Sequence, residues 1–135
     1  MKSNGVARRR LVVKIGSSTL TAGTDRLNRP QMLELVRQLA HLRQQGLDVV
    51  IVSSGAMVTG REVLGFPKGG KDIPFKQVLA AVGQVRLMQV WDQLFSIYGI
   101  AVAQTLLTRD DLADRQRYLN ARNTMLALLE RGVRC

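Results

Sequence analysis

Three short runs of aliphatic, largely β-branched residues punctuate the chain, and the stretches between them carry apolar residues at helical spacing. Arg10–Gly16 and Asp48–Ser53 have the continuous apolar character of buried parallel strands, and Ile100–Leu107 repeats it. Between the first two, Met32, Leu35, Val36, Leu39 and Leu42 recur at a helical period. Pro30 suits the first turn of that helix, Asn28 is a candidate cap and Gly46 a left-handed stop. A short helix is expected over Ala56–Leu64. A longer one is expected from about Pro74 to Tyr98, closed by Gly99 and apolar around much of its circumference, so either sandwiched within the fold or shared with another subunit. A last helix is expected over Arg115–Arg131, closed by Gly132, with Val133 opening a further strand.

The segments between these elements are polar. Ser17–Arg29 is expected as a loop over a ligand site, Gly65–Asp72 as a flexible connection, and Thr108–Asp114 as an acid-rich turn. The order β-α-β-α-α-β-α implies an α/β fold with parallel strands and helices on both sheet faces. Three strands make a small sheet with a long edge, so the sequence has the character of a fragment. Residues 1–9 are expected to be a flexible tail and 10–135 one structural unit.

Candidate chemistry gathers where the first two strands end. Lys14-Ile15-Gly16-Ser17-Ser18 combines a fixed positive charge, a glycine that lets the backbone approach a ligand, and two serines with N–H and hydroxyl donors. It suits a phosphate cradle of the nest type, and equally a polar loop with Lys14 extended into solvent. Ser53-Ser54-Gly55-Ala56 opens a helix whose N-terminus suits phosphate or carboxylate, or is simply capped by serine. Two such turns after successive strands favour one shared site at the carboxyl edge of the sheet.

Composition narrows the classes. Of 135 residues, 46% are hydrophobic but only 4% aromatic, so aliphatic residues and Met build the core. The formal net charge of +10 invites a nucleic-acid reading. Against it, the basic residues form no single stripe, few aromatics interleave with them, and Arg8-Arg9-Arg10 merely flanks the first strand. Cys135 is the one cysteine, which excludes an internal disulfide. No membrane span is expected, because the longest helical segment contains Lys76, Arg86 and Asp92. With no secretory run at the start, a cytoplasmic setting is expected. Gly65, Gly70 and Lys71 have P-loop spacing, but Asp72 replaces the magnesium-binding Ser or Thr and no strand precedes them. His41, the one histidine, has no partner for a metal pair, and Asp110, Asp111 and Asp114 suit a helix start better than a metal site.

Five segments in order resemble the amino-terminal half of the glutamate 5-kinases of the amino-acid kinase family. They are Val12–Ser18, Val52–Ala56, Ala80–Gln84, Leu106–Asp111 and Tyr118–Thr124. Aspartate and N-acetylglutamate kinases are similar to each other in having a double glycine after the first lysine, where this chain has Gly16-Ser17-Ser18. The resemblance implies a three-layer α-β-α sandwich with a mainly parallel sheet, here truncated. It implies transfer of the γ-phosphoryl group of ATP, with Mg²⁺, to the side-chain carboxylate of L-glutamate, the first step of proline biosynthesis. By the same resemblance Lys14 would contact the ATP phosphates, the Gly16, Ser17 and Ser18 amides would line the transferring group, and Ser54, Gly55 and Ala56 would hold glutamate. No metal ligand is carried over. Homo-oligomerisation and feedback by proline, felt around residues 108–124, are implied for the full-length family. The family continues beyond Gly132 with a strand, an Asn-Glu-Asn-Asp segment and the adenine-binding half, so this chain alone is expected to be inactive. A non-catalytic half-domain that pairs with an intact kinase subunit is the alternative expectation.

Overall fold

The computed structural model describes residues 8–68 and 71–133. Its elements run β1 (Arg10–Ile15), α1 (Ser17–Thr21), α2 (Arg29–Gln44), β2 (Asp48–Ser53), α3 (Ala56–Val63), α4 (Ile73–Ser96), α5 (Arg109–Ala113) and α6 (Arg115–Glu130). β1 and β2 pair in parallel, in a register that sets Arg10 opposite Asp48, Lys14 opposite Val52 and Ile15 opposite Ser53.

Local chemistry sets the helix limits. Asn28 Oδ1 accepts the Gln31 N–H at 3.0 Å to start α2, with proline in its first turn. Asp72 caps α4 in the same way. α2, α4 and α6 all end at a glycine with positive φ: Gly46, Gly99 and Gly132. In each, the following N–H reaches back to a helix carbonyl, as Ile100 does to Phe95 at 3.1 Å.

The core lies on one face of the sheet, where Val13, Ile15, Val49 and Ile51 meet Met32, Val36 and Leu39 of α2 and Leu87, Val90, Trp91 and Phe95 of α4. On the other face, Val12 and Val50 share a cavity of about 340 Å³ with Ala121, Met125, Leu126 and Leu129 of α6. Helices thus flank both faces, and the fold is mixed α/β with a two-stranded parallel sheet among the described residues. The second face is thinly covered: Val12 is 61% exposed and Val52 51%.

Three expectations are corrected. Ile100–Leu107 is not a strand; only Val102 forms an isolated bridge. The segment lies along β2 and walls a cavity of about 350 Å³ with Val50, Ile51, Val52 and Ser53. Ile100 is buried and Val102 packs on the core, but Leu106 is 73% exposed and Leu107 is exposed as well, so the second half of the segment lacks the apolar cover that would hold it in a ladder at a sheet edge. The expected polar loop at Ser17–Arg29 opens instead with helix α1, and the acid-rich turn contains helix α5. The long helix is sandwiched along one side only: Leu79, Leu87 and Phe95 are buried while Val78 and Val85 are exposed. No helix among the described residues is long and apolar enough to cross a membrane. Residues 1–7, Gly69, Gly70, Arg134 and Cys135 lie outside the described residues, and with them most of the expected tail and part of the Gly65–Asp72 connection.

Candidate functional site

The two turns leave neighbouring parallel strands at their carboxyl ends. Beyond the Ile15–Ser53 pair the ladder continues by one bond, from the Ser54 N–H to the Ile15 carbonyl at 2.9 Å. That bond brings the turns side by side, and it consumes the Ser54 amide. What the second turn offers a ligand is therefore the exposed Ser54 hydroxyl and the first-turn N–H groups of α3.

The second turn is built from several directions. Gly55 caps α3 with φ 108°, a conformation that L side chains rarely adopt, and a Cβ there would stand 2.9 Å from Leu20 Cδ1. The buried Thr59 hydroxyl donates to the Gly55 carbonyl at 2.7 Å. Behind it α3 crosses α4 at two glycines. A Cβ on Gly83 would collide with the Ala56 carbonyl oxygen, and one on Gly60 with the Leu79 carbonyl oxygen. From below, the Trp91 indole N–H donates to Ser53 Oγ at 3.2 Å, and Ser53 Oγ donates to the Ser54 carbonyl at 2.9 Å. Ser53 thus serves the turn's shape, whereas Ser54 faces outward.

The first turn is more open. Gly16 is extended, with φ −81° and ψ 163°, and caps α1. The nest-type cradle expected from the sequence is therefore a helix N-terminus instead, with the Gly16 carbonyl accepting from Thr19 at 3.1 Å and Leu20 at 3.2 Å. A Cβ on Gly16 would meet nothing within 4 Å. No contact within the described fold requires glycine at 16. Lys14 is exposed and shares the sheet face of Val52, its register partner. α1 is held by the fully buried Leu20, by the Asn28 N–H donating to the Leu20 carbonyl at 2.8 Å, and by the Gln31 side-chain amide donating to the Thr19 carbonyl at 2.5 Å.

Lys14 thus sits near the end of β1, with Gly16, Ser17 and Ser18 on the turn that follows it, and Ser54, Gly55 and Ala56 on the turn after β2. Three supporting residues escape a reading of the sequence. Gly83 lies in the quoted Ala80–Gln84 segment without a visible reason, Trp91 looks like plain core, and Thr59 looks like an ordinary helix residue. The α3–α4 crossing reveals Gly83, the indole bond to Ser53 reveals Trp91, and the hydroxyl bond to the Gly55 carbonyl reveals Thr59.

The acidic segment is structural. Thr108 and Asp111 form a capping box: the Asp111 carboxylate accepts the Thr108 N–H at 2.7 Å and its hydroxyl at 2.9 Å. These bonds hold the Asp111 carboxyl below its ordinary range. Asp114 accepts the Arg117 N–H at 2.9 Å and caps α6. Among the described residues no group of three or more His, Cys, Asp or Glu side chains could hold a metal ion. His41 is an exposed residue of α2 facing Gln45.

The model of the amino acid kinase family matches residues 9–134. The chain belongs to the amino acid kinase family. It is 62% identical over 124 residues to a glutamate 5-kinase of Herpetosiphon aurantiacus, covering 92% of this chain and 34% of that protein. It is 55% identical over 130 residues to one from Dehalococcoides mccartyi, covering 96% and 35%. It is 58% identical over 123 residues to one from Klebsiella pneumoniae, covering 91% and 34%. The chain spans about a third of the length of the curated relatives it matches.

Proposed function

We propose that this chain forms the amino-terminal part of a glutamate 5-kinase and supplies one side of its site. The observation that carries the reading is identity of 55–62% to proteins of that name across a region that contains both turns. On this reading a side-chain carboxylate oxygen of L-glutamate attacks the γ-phosphorus of ATP. The bond from that phosphorus to the β–γ bridging oxygen breaks, and ADP leaves with the electron pair. Such transfer depends on positioning and on neutralising charge over the phosphoryl oxygens.

Each turn has a part. Lys14 places its ammonium against the ATP phosphates, and the α1 N-terminus at Gly16, Ser17 and Ser18 directs N–H groups at the transferring phosphoryl. The Ser54 hydroxyl and the α3 N-terminus at Gly55 and Ala56 hold glutamate beside it. The ladder bond between Ser54 and Ile15 supports this pairing, since it sets donor and acceptor turns next to each other. Mg²⁺ supplies further charge neutralisation in such reactions, and its ligands are not assigned to residues of this chain.

The remainder of the family's α-β-α sandwich would cover Val12, Val52 and the cavity along β2. Catalysis would then require the rest of the relatives' length. Homo-oligomerisation of the intact protein is part of the same proposal. Proline feedback near 108–124 and a cytoplasmic setting belong to the same proposal.

The test is direct. The intact protein that contains this sequence is incubated with ATP, Mg²⁺, glutamate and hydroxylamine, and the hydroxamate formed from the acyl phosphate is measured. Glutamate-dependent hydroxamate with matching ADP is expected. ADP release indifferent to glutamate, or none, contradicts the proposal.

A further inference from the structure

α1 has five residues, too few to hold a helix unaided, so the direction of its N–H groups depends on tertiary anchors. Leu20 supplies one anchor, and the Asn28 N–H on the Leu20 carbonyl and the Gln31 amide on the Thr19 carbonyl tie α1 to the start of α2. The chain between, residues 22–28, has a further anchor outside its own neighbourhood. That anchor comes from the far end of α3. Glu62 Oε2 accepts the backbone N–H of the buried Leu27 at 3.1 Å, and its Oε1 stands 3.6 Å from Arg29 Nη1. One turn of chain later Phe66 offers its ring to Arg26, whose guanidinium carbon lies 4.7 Å from the ring centroid.

α3 therefore has a role at each end. Its N-terminus is the second turn, and its C-terminal half grips the segment that carries the first. A single helix of eight residues, backed by α4, spans the two. We infer that Glu62 is a positioning residue that locks the Ser17–Ser18 turn to the Ser54–Ala56 turn through α3. The inference deepens the function proposed above and rests on it. The Leu27 hydrogen bond is its core: it ties the part-buried N–H of a buried residue to a helix 35 positions away, so loss of Glu62 loosens the segment rather than leaving it in place. The Arg29 pair is half-exposed and contributes less.

The experiment compares Glu62→Ala and Glu62→Gln in the intact protein by steady-state kinetics and amide hydrogen exchange. In Glu62→Ala, kcat falls at least tenfold while the KM for glutamate changes less than threefold. Exchange over residues 17–28 rises, and exchange in α2 and α4 does not. Glu62→Gln, whose amide oxygen still accepts the Leu27 N–H, recovers most of the lost kcat. Unchanged exchange over 17–28 overturns the inference. So does faster exchange with kcat intact, or a loosening that spreads through α2 and α4, which marks a general structural role. Absence of glutamate-dependent turnover in the unsubstituted protein overturns the functional reading instead, while the exchange data still decide whether Glu62 anchors the segment.

Discussion

At the second turn Gly55 sits at φ 108° with Leu20 against it, Thr59 bonded to its carbonyl and Gly83 of α4 pressed on Ala56. At the first turn Gly16 is extended, has open space where a Cβ would point, and leads into a helix of five residues. The two turns leave adjacent strands, yet one is fixed by the packing of its own helices and the other by anchors some residues away. On the function proposed above, the acceptor would be held in a rigid seat and the phosphoryl donor met by a more adjustable one.

The sharpest way to break the contrast is at the rigid turn. Gly83→Ala places a methyl group into the Ala56 carbonyl, a backbone atom that cannot step aside alone. We expect a loss of about 3 kcal/mol or more, seen as a lowered midpoint in urea unfolding. An unchanged midpoint would mean that α3 and α4 are not so closely apposed. Gly55→Ala should cost about 2 kcal/mol, from the left-handed backbone and the approach to Leu20 together. Thermal unfolding of the two variants, taken side by side, ranks these effects.

The open turn should respond in the opposite sense. Lys14→Ala is expected to lower kcat by on the order of 100-fold, with stability changed by less than about 0.5 kcal/mol. Gly16→Ala should leave stability within about 0.5 kcal/mol and still weaken ATP binding, because the added methyl points into the space a phosphate would take. Calorimetric titration with ATP checks this, and a variant that binds ATP normally would remove Gly16 from the site.

The smallest effect concerns pH. The bonds from Thr108 hold the Asp111 carboxyl low, so the folded state binds this proton less readily than the unfolded chain. The capping box therefore contributes fully above the ordinary carboxylate pKa, and its contribution is lost as pH falls through the depressed value. An NMR titration should find Asp111 below its ordinary range in the parent protein and returned toward it in Thr108→Ala. Equal values in the two proteins would remove the box.

Helix limits and the first two strands are legible from sequence because their causes are local. Asn28, Pro30, Gly46, Gly99 and Gly132 act within one turn of the chain. The two turns are legible as well, since small residues after apolar runs mark the ends of parallel strands. α1 is not, because five residues of polar character show no period. Ile100–Leu107 has the composition of a strand, but whether it pairs depends on cover that composition does not express. Each turn has a support distant in sequence: at the second, Trp91 reaches Ser53 across 38 residues. Glu62 reaches Leu27 across 35.

The measurement that tests the central claim most directly is amide hydrogen exchange of the intact protein with each ligand in turn. Glutamate should slow exchange at residues 55–58, and a non-hydrolysable ATP analogue should slow it at 16–19. The two together should protect both turns. Protection by either ligand that leaves both turns untouched would contradict the account of a shared site at the ends of β1 and β2.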